Sequence, residues 1–75
     1  MLGSLRVIIM LRIEIGREDD GRWIGEVPSL PGVLVYAATE AEARIKAEAL
    51  ALRVIADRIE HGEAVPPEAR KLFVA

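Results

Sequence analysis

The residues that could do chemistry are few and scattered. Ser4 and Ser29 are the only serines, and neither has a histidine near it in sequence. The single histidine, His61, falls at the end of a predicted helix, where its role is structural or solvent-facing. Asp19 and Asp20 stand together like a metal pair, but the glycine that follows makes them turn formers. Glu40, Glu42 and Glu48 fall on a solvated helix and do not converge. No Gly-rich phosphate loop is present, and no cysteine. One histidine and no thiol all but exclude a zinc site. The expectation is therefore no catalysis, no metal and no cofactor.

The totals agree with a binding role. The chain has 75 residues, 52% of them apolar, and a net charge of -2. That length fits one domain, 1–75, burying roughly 60 to 65% of its unfolded-state surface. Such a domain, without disulfide or metal, gains from association with another chain. Mild acidity, with bases interleaved among acids, argues against direct nucleic-acid binding. The apolar run over residues 5–15 is interrupted by Arg6, Arg12 and Glu14, so it is too short and too charged to span a membrane. It also lacks the cleavage site of a signal peptide. With no cysteine, a cytoplasmic location is expected.

The elements that must position any site follow from patterning. Residues 5–15 alternate with period two and are rich in branched side chains, which predicts a strand. Asp20-Gly21 marks a hairpin turn, residues 22–27 a second strand, and residues 33–38 a third. Pro28 cannot donate to a ladder and ends the second strand. Between strands two and three lies VPSLPGV. There Pro31-Gly32 predicts a tight turn with glycine at positive φ, and Leu30 is expected to tuck under the helix. A contact between a partner and Ser29 or Leu30 is the other reading of this corner. Thr39-Glu40-Ala41-Glu42 reads as a capping box opening a helix that runs to about Glu60. Gly62 stops it, and Pro66-Pro67 forbids continuation. Leu72-Phe73-Val74 is read as a short fourth strand. The order is β-β-β-α-β, an α+β domain of two layers with the helix on one face of the sheet.

The helix carries two apolar stripes. Ala41, Ile45, Ala49, Leu52, Ile55, Ala56 and Ile59 are expected to pack on the sheet. Ala43, Ala47, Leu50 and Val54 form a narrower stripe opposite. Together with Ile8 and Met10 on the first strand, these four are the candidate oligomer or partner interface. Scattered surface apolars are the other reading of that stripe. One helix covers only one face of a sheet, so the second face also favours self-association or partner binding.

Three segments carry a resemblance when taken together: DGRWIGEVPSLPG over residues 20–32, TEAEA over 39–43, and GEAVP over 62–66. The chain resembles the HicB-like antitoxin family over nearly its whole length. The motif and fold-defining positions are Gly21, Trp23, Val27, Pro28, Leu30, Pro31, Gly32, Thr39, Glu42 and Ala43. The sequence departs from the family pattern at Ala37-Ala38, where Gly-Asp is usual, and at Trp23 and Val33. The resemblance implies a degenerate RNase H-like fold with strand order 3-2-1-4. It also implies binding and occlusion of a small HicA-type RNase toxin, and assembly as a dimer or tetramer. Proteins of that family usually add a C-terminal DNA-binding domain; none is expected within these 75 residues. An orphan oligomeric binding module without a toxin is the alternative, and a nuclease retaining RNase H-like activity is a weaker third.

Overall fold

The computed structural model describes residues 11–74. Three strands, β1 (Glu14–Arg17), β2 (Trp23–Glu26) and β3 (Leu34–Ala37), form an antiparallel meander in the order β1-β2-β3. A long helix, α1 (Glu40–Glu60), follows, and then a single turn of helix, α2 (Pro67–Arg70). The architecture is a small two-layer α+β fold, one helix laid across a three-stranded sheet.

Each turn follows from its residues. Between β1 and β2, the Gly21 amide donates to the Glu18 carbonyl at 2.9 Å, and Gly21 takes φ 90°. Asp20 serves this turn rather than a metal: its carboxylate accepts from the Arg22 amide at 3.0 Å and from Arg22 Nε at 2.7 Å. Between β2 and β3 the chain makes two successive turns. The Leu30 amide donates to the Val27 carbonyl at 2.9 Å, and the Val33 amide to the Leu30 carbonyl at 3.0 Å. Pro31 followed by Gly32 at φ 97° is the pattern of a type II turn. Two prolines thus reverse the chain and drive Leu30, which has no exposed surface, into the core beside Val27 and Val33.

The ends of α1 are closed by hydrogen bonds. Thr39 Oγ1 accepts from the Glu42 amide at 3.1 Å, half of the expected capping box. The Glu42 carboxylate does not reach back; it pairs with Lys46 Nζ at 3.2 Å instead. At the other end Gly62, at φ 69°, donates to the Ile59 carbonyl, and Glu63 donates to Arg58, a Schellman stop. His61 sits at this cap with Nδ1 2.7 Å from the Asp57 carbonyl oxygen and is exposed.

Three expectations are corrected. The buried face of α1 is Ala43, Ala47, Ala51 and Ile55, with Leu50 and Val54 half-buried against the same core. From the stripe expected to pack on the sheet, only Ile55 is buried, while Ile45 and Leu52 are 68% and 56% exposed. The cause lies in β2. An added Cβ on Gly25 would stand 2.7 Å from the Ala43 carbonyl oxygen and 3.1 Å from the Ala47 Cβ. Glycine opposite alanine lets the helix approach closely, and a face of bulkier residues does not fit there. Second, residues 72–74 form no strand; α1 ends at Glu60, before Pro66-Pro67, and the prolines instead open a separate turn of helix, α2, where proline's missing N–H costs nothing. Third, of the strand expected over residues 5–15, residues 5–10 lie outside the described residues, residues 11–13 are not strand, and β1 runs from Glu14 past the expected end to Arg17. Its register with β2 places Glu14 opposite Glu26, and beyond that pair the neighbouring chain turns away at Pro28.

Candidate interaction surfaces

The sheet's two sides follow from register. Ile15, Gly25 and Val35 lie side by side, as do Arg17, Trp23 and Ala37; both rows face the helix. Ile24 and Tyr36 form a row on the opposite side, and Glu14, Glu26 and Leu34 another. No described element covers this second side. Leu34 and Tyr36 are 46% and 43% exposed there. The Arg22 guanidinium stacks over the Tyr36 ring, 4.3 Å from its centroid. Glu14 and Glu26 stand directly opposite each other, two like charges that disfavour the pairing they sit on. Arg12 Nε lies 3.8 Å from Glu14 and offsets part of this repulsion.

A second surface runs along β1. The helix lies over β2 and β3 and barely reaches β1. The inner side of β1 is therefore only half covered, and just before it a groove of about 400 Å³ opens between residues 11–13 and the helix, bordered by Leu11, Ile13, Leu52, Ile55 and Leu72. Charged residues of both signs, Arg44, Glu48 and Glu68, rim it. Among the described residues no strand lies outside β1.

The residues singled out in sequence divide cleanly. Val27, Leu30 and Ala43 are core, Gly21 and Gly32 make turns, and Thr39 caps the helix. Pro28, Ser29 and Pro31 are exposed at the corner, with Arg58 donating to the Pro31 carbonyl at 3.2 Å. Trp23 is half-buried, with Arg17 over its ring at 5.4 Å. Two residues of the candidate interface are corrected: Ala43 and Ala47 are fully buried within the protein itself, while Leu50 and Val54 are half-buried against the core. Ile8 and Met10 lie outside the described residues. The exposed large apolar side chains among the described residues are instead Ile45 and Leu52 on the helix, Leu34 and Tyr36 on the sheet, and Leu72, Phe73 and Val74 after α2. Leu34 and Tyr36 were legible as the outer alternation of the third strand.

Among the described residues no three His, Cys, Asp or Glu side chains gather as a metal site. The fold lowers the pKa of the Asp20 carboxyl below its ordinary value: the hydrogen bond from the Arg22 amide does most of this, desolvation opposes it, and the hydrogen bond and charge of the Arg22 guanidinium lower it further. That is turn chemistry at an exposed corner. Comparison with protein-family models, with curated proteins and with solved structures finds no match to this chain.

Proposed function

We propose that this chain is a HicB-like antitoxin, or a protein derived from one, that binds a small HicA-type RNase toxin and acts by occlusion. The observation that carries the reading is the uncovered sheet face. It combines apolar Ile24, Leu34 and Tyr36 with the apposed carboxylates of Glu14 and Glu26. A protein surface that binds RNA must be basic, because it neutralises phosphates. The face presents Glu14 and Glu26 beside Arg12 and Arg22, so it would meet such a surface through its apolar residues and these two carboxylates rather than through net negative charge. The meander followed by one helix, and the turn motifs that build it, support the resemblance on which the reading also rests.

The test is co-expression with small neighbouring open reading frames, followed by pull-down and a growth assay. The expected result is a stable complex that restores growth, weakened by Glu14→Lys with Glu26→Lys and by raised salt. Absence of both complex and toxicity would overturn it. The second reading, an oligomeric binding module without a toxin, is favoured by a different observation: the open groove between residues 11–13 and the helix.

A further inference from the structure

We propose that the segment 11–15, leading into β1, is the seam of a two-fold symmetric dimer, pairing antiparallel with the same segment of a second copy about Ile13. The proposal stands on the chain alone and does not require a toxin.

The sequence of this segment, Leu-Arg-Ile-Glu-Ile, is complementary to itself when reversed. With Ile13 opposite Ile13 of the second copy, Leu11 faces Ile15, and Arg12 faces Glu14. The apolar pairs fall on the helix side of the sheet, where Ile13 and Ile15 already lie half-buried. The charged pairs fall on the uncovered side, where Arg12 and Glu14 already lie within 3.8 Å of each other. Opposite charges and branched apolar residues are the pairs that stabilise adjacent antiparallel strands. Other registers lose this match: a shift by one residue sets charged side chains on the apolar side.

The surroundings suit the same occupant. Exposed edges invite pairing with another strand, and β1 is such an edge among the described residues. Pairing would continue the sheet across the seam, with both helices on one side. Because each helix sits off-centre over β2 and β3, the two grooves would merge above the seam. Leu52 and Leu72, 56% and 54% exposed, border them and would meet across the axis. Arg44, Glu48 and Glu68 supply both signs at the rim, so the merged groove does not repel itself.

Charge exchange tests the register. Sedimentation equilibrium of the full chain alone is expected to give a dimer. Arg12→Glu and Glu14→Arg each turn two symmetry-related attractive pairs into repulsive ones, and each is expected to raise the dissociation constant on the order of tenfold. An equimolar mixture of the two variants restores opposite charges at every pair and is expected to dimerise like the parent. Both side chains are exposed, 83% and 49%, so the monomer fold should survive either change. Ile13→Cys provides an independent readout: the chain has no cysteine, and a residue on the two-fold axis should give an oxidised, disulfide-linked dimer. A parent that stays monomeric at millimolar concentration overturns the proposal. So do charge variants that dimerise unchanged, a mixture no better than its components, or Ile13→Cys chains that do not cross-link.

Discussion

The close approach of α1 to β2 makes one substitution unusually informative. In Gly25→Ala the new methyl would stand 2.7 Å from the Ala43 carbonyl oxygen, 3.2 Å from its carbonyl carbon and 3.1 Å from the Ala47 Cβ. Nonbonded carbon atoms prefer about 3.5–4.0 Å. None of the three neighbours can rotate away: two are helix backbone, and the third is a side chain of one atom. Helix and sheet must therefore part by roughly half an ångström or more. Overpacking of this kind costs about 1–3 kcal/mol, and an obstacle in the backbone puts the cost near the top of that range. Removing glycine's freedom in the unfolded chain returns about 0.4–1 kcal/mol. The net loss is about 2 kcal/mol, which for a domain of this length lowers Tm by roughly 8–16 °C. Gly16→Ala on the neighbouring strand is the control. A Cβ there meets nothing within 4 Å, so Tm should hold or rise by a few degrees. Thermal melts followed by far-UV circular dichroism read both. An unchanged or higher Tm for Gly25→Ala would refute the packing of α1 on β2.

Three further outcomes are expected. Leu50→Glu with Val54→Glu sets two carboxylates against the core and should lower Tm steeply in chemical or thermal melts, whereas Ile45→Glu on the exposed side should stay within about 0.5 kcal/mol of the parent. Thr39→Ala removes the oxygen that accepts from the Glu42 amide and should cost about 1 kcal/mol in urea titration. The folded state holds the Asp20 pKa below its ordinary 3.8, so the stabilisation it gives is present above that value and disappears as pH falls through the folded pKa. Tm should therefore fall less below about pH 3.8 in Asp20→Asn than in the parent, by a small amount because the group is exposed.

Punctuation made most of the fold legible. Gly21, Pro28, Pro31-Gly32, Thr39 and Gly62 each do what their backbone chemistry dictates, and they separate three strands from one helix. The residues of the family-like motif act as builders: Val27 and Leu30 fill the core, and Thr39 caps. The face of the helix was misread because apolar bulk was weighed without its counterpart. Ile45 and Leu52 outweigh Ala43, Ala47 and Ala51 in hydrophobicity, but Gly25 in the middle of a strand signalled a close approach that only small residues satisfy. The C-terminal segment was misread because three apolar residues suggest a strand on composition alone, while the neighbouring Pro66-Pro67 supports a helix start as readily as a stop. The candidate surface shares the first error at Ala43 and Ala47, which belong to the core.

The corrected helix face changes the meaning of the apolar residues left outside. Among the described residues the buried side chains larger than alanine are Val27, Leu30, Val33 and Ile55, and the buried stretch of α1 is mostly alanine. A core built this thin removes little apolar area from water, and a small domain has no disulfide here to compensate. Larger side chains, Ile45, Leu52, Leu34 and Tyr36, stand in solvent instead. Close packing of glycine on alanine brings the helix down onto β2, and the same placement leaves β1 half covered. The sequence features that make the fold tight at its centre are thus the ones that leave its edge open. An edge of that kind, bordered by Ile13 and Leu52, gives association a driving force that the monomer has not already used.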